Sequence, residues 1–138
     1  MKDVLNLALA AAEDKKASDI IVLDISKVAS FASYFLLCTG DSSRQIQAIA
    51  DEVERRLKEH GIRPNHIEGY RNAEWVLMDY IDFVVHVFSR SARAYYDLER
   101  LWRDGRRLDV EKLLAGKLVR PAPRRGKQGA APDARVPQ

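Results

Sequence analysis

The sequence contains little cysteine and no long apolar run. Its single cysteine, Cys38, excludes an intramolecular disulfide framework and is typical of a chain in a reducing cytosol. No apolar run approaches the roughly 20 residues of a bilayer-spanning helix. The N-terminus has one basic residue, then Asp3 and a helix-like segment, which is unlike a secretory signal. We therefore expect a cytoplasmic protein with no membrane partner.

Proline is rare except near the C-terminus, where basic residues also collect. Residues 115–138 hold four of the five prolines, and six Lys or Arg against one acid, Asp133. This gives them a charge of +5 and leaves −2 on residues 1–114, which argues against a nucleic-acid binder by bulk charge. The sequence therefore predicts one domain, residues 1–114, and a disordered basic tail, residues 115–138. Solubilisation and an electrostatic contact with RNA are both open as roles for the tail.

The remaining pattern predicts an α/β fold, in which helices pack on a mixed β-sheet of about five strands. Near-continuous apolar runs indicate buried strands, and apolar residues at helical spacing indicate amphipathic helices. In chain order, the first half is predicted to contain a helix at 3–16, strands at 19–25 and 34–39, and a helix from Asp41 or Ser42 to Gly61. The second half is predicted to contain a short strand at 66–68, two strands within 75–88, a helix at 92–103, and one or two helical turns at 108–114. The helix at 92–103 has an apolar stripe of Tyr95, Leu98, Leu101 and Trp102.

The stretch from Trp75 to Phe88 forms two apolar strands around a polar break at residues 80–82. A two-residue loop, either Tyr80-Ile81 or Ile81-Asp82, gives the same division into two faces. The first face is apolar throughout: Val76, Met78, Tyr80, Phe83, Val85 and Val87. The second adds an indole, a carboxylate and an imidazole to apolar residues: Trp75, Leu77, Asp79, Val84, His86 and Phe88. That mixture is typical of a surface that meets another macromolecule. Trp75 is the candidate anchor of such a surface, and core filling is the alternative role for it.

The same face offers one candidate for acid–base chemistry. Asp79 and His86 share it, so a hydrogen-bonded pair could orient a general base. No Ser or Cys nucleophile stands beside them, and Asp24, Asp79 and Asp82 form no convincing pair for magnesium. We expect no catalytic residue, no metal site and no cofactor.

The turn from Gly40 to Arg44 joins a strand to a helix start, where backbone N–H groups can hold a phosphate. It lacks the paired glycines of a dinucleotide site and the Gly-Lys-Ser/Thr of a P-loop. Helix capping accounts for Asp41 and Ser42. Arg44 is the additional cation that keeps a nucleotidyltransferase-like enzyme as an alternative function. A general RNA-binding module led by the tail is the second alternative.

Between Ala17 and Trp102 the chain carries an ordered series of short motifs. They are Asp19-Ile20-Ile21, Leu23-Asp24-Ile25, Cys38-Thr39-Gly40, Ser42-Ser43-Arg44, Ile49-Ala50-Asp51, Glu68-Gly69, Trp75-Val76, Asp79-Tyr80, Asp82, Val85-His86-Val87, Tyr95-Tyr96-Asp97-Leu98-Glu99 and Leu101-Trp102. Each is weak alone, but the ordered set resembles the ribosomal silencing factor family, also called the Iojap family.

The resemblance implies a nucleotidyltransferase-like topology without the catalytic carboxylates, and therefore a protein that is not an enzyme. It implies binding to the large ribosomal subunit through the protein numbered fourteen in that subunit. The bound protein would block joining of the small subunit and lower translation in starvation or stationary phase. The resemblance also implies homodimers.

On the same grounds, we expect the partner-binding residues to lie on and around the hairpin. They are Glu68, Gly69, Trp75, Leu77, Asp79, His86 and Tyr95. Two positions depart from the family pattern: Ser33 stands where Asp is common, and Ile81 stands where Gly is common in the hairpin turn. Because a β-branched residue disfavours positive φ, we expect a different or strained turn at Ile81.

Overall fold

Six strands form one mixed sheet in the computed structural model, which describes residues 2–119. The strands are β1 (Ser18–Asp24), β2 (Tyr34–Gly40), β3 (His66–Glu68), β4 (Trp75–Asp79), β5 (Phe83–Ser89) and β6 (Arg106–Leu108). Their spatial order is β3-β4-β5-β2-β1-β6; β2 and β5 are parallel, and the other neighbours are antiparallel. The predicted α/β fold with a mixed sheet is confirmed. Strand β6 was not predicted, because three residues with two exposed arginines show no strand pattern.

Helices cover both faces of this sheet. They are α1 (Lys2–Asp14), α2 (Ser43–Glu59), α3 (Arg90–Tyr96), α4 (Leu98–Leu101) and α5 (Val110–Val119). Helices α1, α2 and α5 pack on one face, here called the helical face, where α1 contributes Leu5 and Leu9 to the main core. The shorter helices α3 and α4 cover part of the opposite face through Ala92 and Leu98. Burial of these apolar side chains is the main favourable term in folding.

Helix α2 follows its sequence pattern closely. Ser42 is its N-cap, and the Ser42 hydroxyl accepts the backbone N–H of Gln45 at 3.1 Å. The predicted apolar stripe is buried: Ile46, Ile49, Ala50, Val53 and Leu57. The helix ends at Glu59, and Gly61 just beyond it has a φ of 76°, the left-handed conformation that glycine favours after a helix. These features confirm the predicted boundaries and inward face.

The single helix predicted at 92–103 is wrong, because the chain breaks at Asp97 into α3 and α4. Asp97 has a φ of 48°, and its N–H donates to the Arg93 carbonyl, which closes α3. The guanidinium of Arg93 forks onto Glu99 with two contacts of 3.1 Å and also donates to Thr39 Oγ1 at 2.8 Å. The break divides the predicted stripe: Leu98 is buried, whereas Leu101 is 70 % exposed.

Helix α5 extends beyond the predicted domain boundary at residue 114 and ends at Val119. Residues 120–138, most of the predicted basic tail, lie outside the described residues, so the division into domain and tail stays a prediction. Within residues 2–119, no helix has the length and apolar character required to cross a membrane.

Candidate functional site

The register of the hairpin decides which side chains share a face. Leu77 pairs with His86 and Asp79 with Val84, while the Tyr80 N–H donates to the Phe83 carbonyl at 2.9 Å. Of the two predicted loops, Ile81-Asp82 is therefore the observed one. The predicted apolar face is confirmed, since Val76, Met78, Tyr80, Phe83, Val85 and Val87 are all buried in the core under the helical face.

The hairpin turn is strained at Ile81. This β-branched residue has a φ of 73° and is 62 % exposed. Its N–H donates to Asp79 Oδ1 at 2.8 Å, and the Asp82 N–H donates to the Tyr80 carbonyl at 2.9 Å. Left-handed backbone is costly for a side chain branched at Cβ. The positive φ of Ile81 confirms the expected strain, and the hydrogen bond that Asp79 accepts helps to hold the turn closed.

The opposite face of the hairpin, which we call the aromatic face, continues onto strand β3. Pairing of Glu68 with Leu77 and of His66 with Asp79 places both β3 side chains beside those of β4. The residues of the aromatic face are therefore His66, Glu68, Trp75, Leu77, Asp79, Val84, His86 and Phe88. Five of the seven predicted partner-binding residues are thus brought together on one face of the sheet.

Trp75 lies in the aromatic face with its indole N–H directed inward. Trp75 Nε1 donates to His86 Nδ1 at 3.0 Å. The indole stacks on Phe88 with ring centroids 5.1 Å apart and packs against Tyr96 of α3 at 4.6 Å. Trp75 is half-buried, so it is fixed by its neighbours and still reaches the surface.

His86 is buried, with 3 % of its surface exposed, although it was predicted as a surface contact. Burial lowers the pKa of His86 from 6.5 to about 3, so the imidazole is neutral at physiological pH. Because Nδ1 accepts the indole N–H, the ring proton is on Nε2, which has no hydrogen-bond partner among the described residues. The Phe35 ring lies 4.6 Å away in an edge-to-face arrangement.

The predicted Asp79–His86 pair is wrong. Asp79 lies opposite Val84 at the loop end of the hairpin, while His86 lies opposite Leu77. The Asp79 carboxylate instead accepts the Ile81 N–H, and its other oxygen lies 3.6 Å from His66 Nδ1. In the part of the chain that the structure describes, His86 therefore has no carboxylate that would orient it as a general base.

Glu68 and Gly69 form the outer edge of the aromatic face. The exposed Glu68 carboxylate lies 3.0 Å from His66 Nε2. Gly69 has a φ of 78° and passes so close to the start of β4 that a β-carbon would overlap the Trp75 carbonyl oxygen. Gly69 therefore shapes the loop that carries Trp75 and offers no side chain to a partner.

Tyr95 extends the aromatic face onto helix α3. It is 82 % exposed, and its ring meets that of Tyr96 edge-on at 5.0 Å. Since Tyr96 touches Trp75, the three rings form one continuous aromatic surface. All seven predicted residues are therefore in or beside this region, and their role as partner contacts stays a prediction.

A second exposed aromatic group was not identified from the sequence. Phe31 is exposed in the loop after β1, and its ring lies 5.6 Å from that of Trp102. Trp102 in turn packs edge-to-face on Phe35, beside His86. A lone phenylalanine among small residues in a loop is the sequence signal that could have revealed this group.

Residues of the Gly40–Arg44 turn make contacts that hold the start of helix α2 in place. The Asp41 carboxylate pairs with Arg90 at 2.9 Å, and the Asp41 N–H donates to Gln45 Oε1 at 2.6 Å. A β-carbon on Gly40 would lie 2.7 Å from Ile46 Cγ1, so the glycine allows close packing of strand and helix. Within residues 2–119, no group of three His, Cys, Asp or Glu side chains could hold a metal ion.

Comparison with known proteins identifies the family. A family model described as "Ribosomal silencing factor during starvation" matches residues 1–135. The chain belongs to the ribosomal silencing factor family. This confirms the resemblance and extends it beyond the stretch from Ala17 to Trp102 that carried the motifs.

Individual members of the ribosomal silencing factor family are similar in sequence to this protein over most of its length. The Ribosomal silencing factor RsfS of Bacillus subtilis is 46 % identical over 110 residues, which is 80 % of this chain and 93 % of the relative. The protein of the same name from Halalkalibacterium halodurans is 42 % identical over 114 residues, covering 83 % and 97 % of the two chains. A crystal structure of a Chromobacterium violaceum protein has a TM-score of 0.72 and 45 % identity, covering 74 % of this chain and 85 % of that one.

Proposed function

We propose that the protein represses translation by binding the large ribosomal subunit through its protein number fourteen. The bound domain would stand in the way of the small subunit and block joining by its bulk, lowering translation in starvation or stationary phase. Family membership supports the ribosomal role, and the surface formed by Trp75, Tyr96 and Tyr95 is the observation that supports the contact site.

The character of the aromatic face favours a protein partner over RNA. Trp and Tyr are enriched among residues that dominate binding energy at protein interfaces. Here the indole and two tyrosine rings are continuous, and the exposed carboxylate of Glu68 lies on the same sheet face. Residues 1–114 carry a net charge of −2, which opposes the phosphate contacts that dominate RNA affinity.

Neither the aromatic face nor Cys38, which lies in the core under the helical face, is suited to catalysis. His86 is held neutral, has no carboxylate partner among residues 2–119 and uses Nδ1 to accept the Trp75 N–H. Burial raises the pKa of Cys38 to about 12, so its thiol is a weak nucleophile at neutral pH. We therefore propose that the protein is a regulator and not an enzyme.

Sedimentation with purified ribosomal subunits tests this function. We expect the protein to travel with large subunits and not with small subunits, and to reduce 70S formation when added first. Trp75→Ala should abolish the association, whereas Trp102→Ala changes the other tryptophan and should leave it intact. Absence of the parent protein from the large-subunit fraction would refute the function. Equal binding by the Trp75 variant would refute only the placement of the contact.

Three further measurements address the alternatives and the oligomeric state. Magnesium-dependent nucleotide binding in calorimetry would favour the nucleotidyltransferase-like enzyme. Loss of subunit binding on truncation after Val119, with strong salt dependence, would favour a tail-led RNA contact. Analytical ultracentrifugation with and without large subunits tests whether a homodimer forms and whether it competes with ribosome binding.

A further inference from the structure

The indole N–H of Trp75 is already satisfied within the protein. Its acceptor, His86 Nδ1, lies 3.0 Å away on the same face of the sheet. The two residues are diagonal neighbours across β4 and β5, since Trp75 pairs with Phe88 and His86 with Leu77. A tryptophan that becomes buried in an interface usually needs a hydrogen-bond acceptor for its N–H. That donor is occupied here before any partner arrives.

We infer that His86 is a positioning residue that fixes the Trp75 indole, so that the partner receives the hydrocarbon part of this ring in an apolar pocket with no acceptor for its N–H. This inference rests on the proposed function, because it describes the chemistry of the partner at the proposed contact. It also reassigns His86, which was predicted to touch the partner itself.

The aromatic neighbours explain why one hydrogen bond is enough to fix the ring. Phe88 stacks on the indole at 5.1 Å and Tyr96 packs against it at 4.6 Å. Those two contacts are apolar and do not choose the orientation of the indole nitrogen, whereas His86 does. An interface side chain fixed before binding loses less rotamer entropy when the complex forms.

Burial of His86 costs stability, which indicates that its acceptor nitrogen, Nδ1, serves a function. Nε2 carries a proton that has no partner among the described residues, while the ring is enclosed by Phe35, Phe88 and Trp75. A buried donor without a partner destabilises a protein, and an apolar side chain in this place would avoid that cost. The hydrogen bond from Trp75 is the contact that an apolar side chain could not replace.

Two substitutions of nearly equal shape isolate the acceptor. In His86→Asn the side-chain oxygen is attached to Cγ, at the place of Nδ1, so it can accept the indole N–H. In His86→Leu a methyl group takes that place and cannot accept. We expect His86→Asn to bind large subunits within about threefold of the parent and His86→Leu to bind about tenfold more weakly, because the freed indole N–H must be desolvated on binding.

Nuclear magnetic resonance of the free protein provides the second readout. In the parent and in His86→Asn, the Trp75 indole N–H should exchange slowly with solvent; in His86→Leu it should exchange much faster, while Trp102 is unchanged. The parent protein also gives a direct measurement, because the chemical shifts of the imidazole nitrogens distinguish an unprotonated Nδ1 from a protonated Nε2. This measurement decides the hydrogen bond even if a variant fails to fold.

Each contrary outcome overturns a defined part of the inference. A protonated Nδ1, or an indole N–H equally protected in His86→Leu, would overturn the hydrogen bond. Unchanged or tighter subunit binding by a folded His86→Leu would show that the partner accepts the freed N–H or does not need it fixed. Equal weakening by a folded His86→Asn would show that the acceptor is not what matters. If the parent itself does not bind large subunits, the proposed function fails, and the assignment of the partner pocket fails with it.

Discussion

Gly69 passes so close to Trp75, the first residue of β4, that a β-carbon on Gly69 would overlap the Trp75 carbonyl oxygen. Gly61 has nearly the same φ, 76° against 78°, but apart from its chain neighbours no atom of the described residues lies within 4 Å of a β-carbon placed there. The two glycines therefore separate the cost of a left-handed backbone from the cost of a steric overlap.

Gly69→Ala should accordingly be much more destabilising than Gly61→Ala. We expect Gly61→Ala to lower the free energy of unfolding by about 1 kcal/mol, the usual cost of a side chain in the left-handed region. Gly69→Ala adds displacement of β4 and should cost about 3 kcal/mol. Urea denaturation measures both, and equal losses would show that Trp75 does not constrain the loop.

Replacement of Ile81 by glycine should stabilise the protein. Glycine relieves the strain at a φ of 73°, which costs on the order of 1–3 kcal/mol, and Ile81 is mostly exposed, so little burial is lost. Greater freedom of the unfolded chain offsets about 0.4–1 kcal/mol of this gain. We expect a net increase of about 1 kcal/mol in the free energy of unfolding. Ile81→Ala retains a β-carbon and should gain less; a less stable glycine variant would contradict the strained turn.

The buried Cys38 thiol should make the protein sensitive to alkali. Burial raises the pKa of Cys38 from 9.0 to about 12, so between these values the unfolded chain loses a proton that the folded chain keeps. Unfolding is therefore favoured as pH rises, by up to about 1.4 kcal/mol per pH unit. Urea denaturation at pH 8 to 10 should show that the free energy of unfolding declines with pH, and that Cys38→Ala makes this decline smaller. Identical slopes for the two proteins would exclude this origin.

His86 should act in the opposite direction on the acid side. Burial lowers the pKa of His86 to about 3, so below about pH 6.5 the unfolded chain binds a proton that the folded chain does not bind. The free energy of unfolding therefore has its full value above that pH and falls as the pH drops, by up to about 1.4 kcal/mol per pH unit. Between pH 6.5 and 5, His86→Asn should flatten this decline. A decline as steep as that of the parent would show that another group causes it.

The sequence patterns that depend on strict alternation predicted the hairpin well. Apolar alternation placed Val76 and Val85 on one face and Trp75 and His86 on the other, as observed. Parity assigns residues to a face but does not fix which of them touch, and this is why Asp79 was paired with the wrong histidine. The register places Asp79 one pair too close to the turn to reach His86.

Other errors came from contacts between distant parts of the chain. The prediction of a continuous helix at 92–103 did not include the tertiary contacts of Arg93. Its guanidinium donates to the Asp19 carbonyl and to Thr39 Oγ1 on neighbouring strands. Local helix propensity carries no information about such a contact. The burial of His86 was missed for a similar reason, because Phe35 comes from β2, which pairs with β5 across more than forty residues of sequence.

The two edge strands have a consequence for behaviour at high concentration. Both β3 and β6 are only three residues long, and charged or ionisable side chains stand on them: His66 and Glu68 at one edge, Arg106 and Arg107 at the other. Short, charged edges offer little backbone to which a second sheet can add. The protein can therefore expose a row of aromatic rings without inviting strand-by-strand aggregation, and self-association, where it occurs, is directed to side chains.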